Sequence, residues 1–193
     1  MNKKKLTEFF QSADLVTLSD AGKITQHFNQ KIILKNDFFL NEGKICNEYL
    51  FLESGFMRAF AYDTNGNDIT TGFYSQYKVV FEASSFFNKT ASLENIQALT
   101  DCECWYITYA QLNALFHELP AFREFGRHIL VKGYTSLKVR MLSMITETAE
   151  QRYINLLNTN PEIFQYAPLK NIASYLGITD TSLSRIRKEF SKK

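Results

Sequence analysis

The sequence predicts an α+β chain in three parts: an antiparallel β-roll of jelly-roll type, one long helix, and a terminal pair of helices joined by a tight turn. Three observations predict it. Short apolar runs at residues 49–52, 56–62 and 69–74 are separated by turn residues, most clearly Asp63-Thr-Asn-Gly-Asn-Asp68, and many short strands of this spacing close into a roll. Beyond Tyr109 the apolar spacing becomes helical, and a stretch led by Pro120 carries an apolar stripe as far as Met144. Finally, Leu169, Ile172, Ala173 and Leu176 share one helical face, Gly177 interrupts it, and Leu183, Ile186 and Phe190 begin another.

Composition sets the limits. A chain of 193 residues with 45% hydrophobic content is long enough for one large or two small cores. The net charge of +2 leaves any contact with nucleic acid to a local patch. The start Met1-Asn-Lys-Lys-Lys5 is basic, but no apolar run of signal-peptide length follows, so a cytoplasmic chain that neither spans a membrane nor is exported is expected. Cys46, Cys102 and Cys104 are too few for a disulfide framework and are expected as packed thiols.

In order, residues 6–10 and 15–18 predict one or two short helices. From Thr25 the texture is β, over residues 26–34 and 38–40, with a turn at Asn41-Glu-Gly-Lys44. Residues 93–99 and 103–108 supply two later strands, and residues 110–117 a short helix. Pro120 suits the first position of the long helix. Its stripe of Phe122, Phe125, Ile129, Leu130, Leu137, Met141 and Met144, with Gly126 and Gly133 set among them, has nearly heptad period. Such a stripe calls for another helix, and its own copy across a two-fold axis is the economical partner. The expected dimer interface is therefore Phe125, Ile129, Gly133, Leu137 and Met141. Thr148 and Gln151 fit a capping box, so a new helix with Ala149, Tyr153, Leu156 and Leu157 inside starts there. The expected parts are 1–118, 119–146 and 147–193.

The terminal helices carry the clearest chemistry. Thr179 is placed to cap the second of them. Thr179, Asp180, Thr181, Ser182, Ser184, Arg185 and Lys188 lie on its leading turn and outer face, the residue types that suit a helix laid in a DNA major groove. Arg185, Arg187, Lys188, Lys192 and Lys193 are opposed only by Glu189, which gives phosphate attraction a local source.

This order of parts resembles the Crp/Fnr family of bacterial transcription regulators. The most specific matching stretches are Leu52-Glu-Ser-Gly-Phe-Met-Arg58 with the hairpin at Asn65-Gly66, and Ile172-Ala-Ser-Tyr-Leu-Gly-Ile-Thr-Asp-Thr-Ser-Leu-Ser-Arg-Ile-Arg187. The resemblance implies a cyclic-nucleotide-binding-type roll, a dimerisation helix and a recognition helix starting near Asp180. By it, Asp180, Thr181 and Arg185 reach bases, while Thr179 and Ser184 sit near phosphates. The implied partners are a near-palindromic DNA operator and a second copy of the chain, with RNA polymerase a further candidate.

Three departures from the family pattern bear on the effector. Nucleotide-binding members carry a Gly-Glu pair and then an Arg-Ser-Ala or Arg-Thr-Ala stretch, whose Glu takes the ribose and whose Arg neutralises the phosphate. Here Phe81-Glu82 stands for the first and Ser92-Leu-Glu94 for the second, leaving Lys89 as the nearby cation. The pocket positions are thus Glu82, Ser84, Ser85, Lys89, Ser92 and Leu93, and cyclic AMP binding of the usual kind is not expected. The N-terminal cysteine cluster of the iron–sulfur branch is missing, and the chain stops soon after Phe190, so the wing is expected to be short or absent. An enzyme is not expected, since His27, His117 and His128 are scattered and no nucleophile motif or phosphate-binding loop stands out, so neither cofactor nor metal is foreseen. The alternative is a ligand-binding or protein-interaction roll with a degenerate DNA-binding module.

Overall fold

A computed structural model of the chain describes residues 2–190. Helices α1 (Lys4–Gln11) and α2 (Leu18–Gln26) lead into strands β1 (Asn29–Ile33), β2 (Phe38–Leu40), β3 (Glu48–Ser54), β4 (Met57–Tyr62), β5 (Asp68–Tyr74) and β6 (Lys78–Val80). Helix α3 (Ala83–Asn88) follows, then β7 (Asn95–Ala98) and β8 (Cys102–Thr108). The strands form two antiparallel sheets, in the orders β1-β8-β3-β6 and β2-β7-β4-β5. Their inner faces meet in one core, to which Leu50 and Leu52 bring one sheet's side chains and Met57, Ala59, Ile96 and Ala98 the other's. The antiparallel roll is thus the fold.

Local details differ from the sequence reading. The second helix begins at Leu18, where residues 15–18 were expected to be helical, and runs through residues 25–26, which were expected to be β. Thr17 caps it by accepting from the Asp20 N–H, and Ala21, Ile24 and Thr25 fall on one buried face despite their polar neighbours. Leu93 is not in a strand: it is 79% exposed in the approach to β7. Strand β6 and helix α3 were not foreseen, being only three and six residues long.

After the roll come α4 (Tyr109–Glu118), α5 (Pro120–Thr146), α6 (Ala149–Thr159), α7 (Ile163–Tyr166), α8 (Leu169–Leu176) and α9 (Asp180–Phe190). The expected Pro120 start and the Thr148–Gln151 capping box are both present. The first turns of α5 belong to the roll. Phe122 and Phe125 are buried in its core, and the Phe125 ring lies 5.3 Å from Phe9 and 5.2 Å from Phe10, both edge-on. This corrects the expected dimer interface: Phe125 is not available to a second copy, and Ile129 is partly buried against the same core. Gly126 also has an internal role, since a Cβ there would stand 2.7 Å from the Phe116 ring. Only the distal residues of the stripe stay open, with Leu137 62% and Met141 53% exposed and Gly133 clear of any neighbour within 4 Å.

Helices α6 to α9 enclose a second core of Tyr153, Leu156, Ile163, Ile172, Ala173, Leu176, Leu183 and Ile186, joined by Phe56 from the roll. Leu169 departs from its expected place, because it opens the first turn of α8 and hangs past the packed face, half-exposed, while Asn171 is buried instead. Phe190, at the far end of α9, likewise lies at the margin, with its ring edge on Tyr153 at 6.0 Å.

The placement of Phe125 gives a prediction. Phe125→Ala should destabilise the roll by roughly 3–5 kcal/mol through loss of buried ring contacts. Denaturant unfolding would measure it, and a loss under about 1 kcal/mol would mean that the ring is not a core residue.

Candidate functional site

The turn between α8 and α9 is built as its sequence demands. Gly177 takes φ +67°, and the N–H groups of Gly177 and Ile178 donate to the carbonyls of Ser174 and Ala173 at 3.1 and 3.0 Å. Thr179 Oγ1 accepts from the Ser182 N–H at 3.2 Å and donates to Ser182 Oγ at 3.0 Å. The hydroxyls of Thr179 and Ser182 are therefore engaged in capping α9. With Leu183 and Ile186 turned inward, Asp180, Thr181, Ser184, Arg185 and Lys188 are exposed together, and Ser182 is half-buried. Arg187 is exposed too, while Lys192 and Lys193 lie outside the described residues.

The residues expected to form an effector pocket are brought together by α3, but they serve one another. Glu82 caps α3: its carboxylate oxygens accept from the N–H groups of Ser84 and Ser85 at 3.0 and 2.6 Å. The buried Ser85 hydroxyl accepts from the Cys46 N–H at 2.8 Å and donates to the Thr90 carbonyl at 2.6 Å. Ser92 Oγ donates to the Glu94 carbonyl and accepts from its N–H, at 2.8 and 3.1 Å. Lys89, in the left-handed conformation that ends α3, sets its ammonium over the Tyr109 ring at 3.4 Å and faces Asn47 Oδ1 at 3.5 Å. Leu93, counted with the pocket by position, points to solvent.

A second cluster escaped the sequence reading altogether. It joins the roll to the helical module. Met57 and Ala59 on β4 belong to the roll core, so Arg58 faces outward, yet it is only 3% exposed. Its Nε donates to Thr70 Oγ1 at 2.8 Å and its Nη1 to Asp68 Oδ2 at 3.1 Å. Helix α8 packs over this face, bringing Lys170 Nζ to 3.6 Å from Asp68 Oδ1 and Ser174 Oγ to accept the Thr70 N–H at 2.6 Å. Arg140, from the distal part of α5, completes the joint. Its Nη1 donates to the Thr71 carbonyl at 3.2 Å and its Nη2 to the Tyr175 carbonyl at 3.1 Å, and its guanidinium lies 4.1 Å from the Tyr175 ring. Burial alone would raise the Asp68 carboxyl, but the hydrogen bond and charge of Arg58, with Lys170 behind them, hold it below the usual carboxylate range. Burial pushes Glu94 up, the Glu82 carboxylate adds to this, and Arg140 opposes it. A charged Arg58 inside the strand run Phe56-Met-Arg-Ala-Phe60 was the one available signal.

The three thiols are buried and free, and burial pushes Cys104 up to about 12. Among the described residues, no group of three or more His, Cys, Asp and Glu side chains could hold a metal ion. Among them too, no helix is long and apolar enough to cross a membrane.

A two-sheet roll, a long helix and a helix-turn-helix pair define the class of fold. Residues 30–118 match the family model of the cyclic nucleotide-binding domain. No curated protein matches the chain in sequence. Solved structures similar in fold include the c-di-GMP responsive global regulator CLP of Xanthomonas campestris, at TM-score 0.71 and 17% identity, covering 90% of this chain and 92% of that one. FixK2 of Bradyrhizobium japonicum is similar at TM-score 0.72 and 15% identity, over 86% of this chain and 85% of that one. A putative Crp/Fnr transcriptional regulator of Eubacterium rectale gives 0.71 and 15%, over 95% and 88%. The chain thus carries a cyclic nucleotide-binding-type domain, and its fold as a whole is similar to that of a solved Crp/Fnr-type regulator.

Proposed function

We propose that the chain is a sequence-specific DNA-binding transcription regulator that acts as a homodimer. The observation that carries this reading is α9, whose buried Leu183 and Ile186 leave Asp180, Thr181, Ser184, Arg185 and Lys188 exposed along one face. Arg185 is the base reader, because a forked guanidinium can donate two hydrogen bonds to a guanine edge. Lys188 serves phosphate, and Thr179 and Ser182 shape the leading turn.

In this reading residues 1–118 are the sensor-type roll, 119–146 the dimerisation helix and 147–193 the DNA-binding part. Pairing runs through the distal half of α5, where Tyr134, Leu137, Met141 and Ile145 are all exposed apolar or aromatic side chains. Two copies would set their recognition helices about 34 Å apart on a near-palindromic site. The roll does not take cyclic AMP in the family's usual way. An anionic phosphate entering it needs paired donors or a cation, whereas Glu82, Ser85 and Ser92 are bonded within the chain and Lys89 is held over Tyr109.

Arg185→Ala should cost roughly 1–3 kcal/mol on the best operator and much less on random DNA, whereas Lys188→Ala should weaken both alike and flatten the salt dependence. Equal losses for Arg185→Ala on the two DNAs, read by gel shift, would make it a phosphate contact. Leu137→Glu should dissociate the dimer, seen by sedimentation, and weaken operator binding with it; a wild-type chain that stays monomeric at micromolar concentration contradicts this assembly. Calorimetry with cyclic AMP should show no saturable binding at micromolar ligand, and saturable binding abolished by Lys89→Ala would show that the site keeps a cation after all.

A further inference from the structure

We infer that the crevice enclosed by β3, α3, α4 and the first turns of α5 is a binding site for a small neutral aromatic molecule with one hydrogen-bond acceptor, which the Tyr49 hydroxyl meets. The inference concerns the roll and its covering helices, and it stands whether or not α9 reads DNA.

The crevice lies outside the space between the two sheets. Leu50 and Leu52 point into that space, so by the alternation of a strand Tyr49 points to the opposite face of β3. Val80 stands opposite Leu50 and shares its side, so Phe81, one residue on, turns towards Tyr49, and their rings lie 5.0 Å apart. Leu112 and Phe116 of α4, with Phe122 and Phe125 of α5, close over these rings. Glu82, Ser85 and Ser92, the polar groups of the expected nucleotide pocket, take no part in the lining. This is therefore a different place from the one a cyclic nucleotide would occupy.

Tyr49 sets the chemistry of the occupant. It is 8% exposed, and among the described residues that line the crevice its side chain alone carries a polar atom. Burial alone pushes its phenol above the usual range, with neither a hydrogen bond nor a charge to offset it. The hydroxyl is thus a neutral donor without an acceptor among the described residues, and a buried donor left unmade is costly. An oxygen brought in by a ligand would remove that cost. A charged ligand is disfavoured, because no ionisable side chain other than the neutral phenol lines the crevice to pair with it.

Size and shape narrow the class further. The cavity itself is about 20 Å³, within a hollow of about 330 Å³ when its open side is included. The closed part takes a group of about one or two heavy atoms. The rest of the ligand lies towards Phe87 and Leu130, which are 37% and 42% exposed and form the rim. The walls there are rings: Phe87 stands edge-on to Phe81 at 6.0 Å, and Phe116 is tilted against Phe122 at 5.0 Å. A single flat ring with a short substituent can add an offset or edge-on contact to each.

Calorimetry on the full-length chain with acetophenone and toluene tests this, since both carry one ring and only the first carries a carbonyl. Acetophenone should bind saturably and more tightly than toluene, by roughly threefold to tenfold, the range expected of one hydrogen bond. Tyr49→Phe, which keeps the ring and removes the unpartnered hydroxyl, should abolish that difference and leave toluene binding unchanged. The methyl resonances of Leu112 and Ile129 should shift with acetophenone, and those of Leu50 and Ile96, between the sheets, should not. Absence of saturable acetophenone binding to the wild type overturns the site. Equal affinity for the two molecules, or acetophenone binding that Tyr49→Phe leaves intact, overturns the role of the hydroxyl, and shifts at Leu50 and Ile96 alone would put the ligand inside the roll instead.

Discussion

The long helix can organise the chain only because its first turns are not free. Phe122 and Phe125 are driven into the roll beside Phe9, Phe10 and Phe28, and the cost of exposing such rings fixes where α5 leaves the roll. Everything beyond residue 130 is then placed by that anchor. The same helix therefore does two jobs in series: it is core at one end and surface at the other. Its apolar stripe is continuous along the sequence, but the partner of the stripe changes from the roll to solvent between Ile129 and Gly133.

That change explains what could and could not be read from the sequence. The Thr148–Gln151 capping box, the Pro120 start, the left-handed Gly177 and the hairpin at Asp63 were legible, because each is settled by chemistry within a few residues. The inward face of α9 was legible for the same reason. Assignment of Phe125 to a dimer interface was not correct, since periodicity tells which face of a helix is apolar and not what lies against it. Strand β6 and helix α3 are too short to show a period. Helix α2 was hidden by its polar neighbours, although Thr17 and Asp20 give it a sound start.

The joint between roll and helical module was the least legible part. The partners that cross it are remote: Thr70 with Ser174, Thr71 with Arg140. No spacing rule connects residues so far apart, and only a charged residue inside an otherwise apolar strand marked the place. Arg152 shows the same kind of hidden tie, donating to the carbonyls of Glu147 and Leu176 at 2.6 and 3.1 Å, so that the break after α5 is held to the end of α8. The segment between the long helix and the helix-turn-helix is thus braced from both sides rather than left as a loose linker.

Arg140 also bears on the electrostatics of the roll. The residues read from the sequence as a nucleotide cassette have no Arg among them, and the guanidinium of Arg140 comes from α5 and meets β5 and α8. There it acts on Glu94, a partly buried carboxyl that Glu82 makes still less willing to ionise. A cation in this position favours a carboxylate of the chain itself, and both of its terminal nitrogens are already bonded to backbone carbonyls. The guanidinium of Arg140 thus holds β5 to α8 through two carbonyls, and its charge opposes the rise that burial imposes on Glu94.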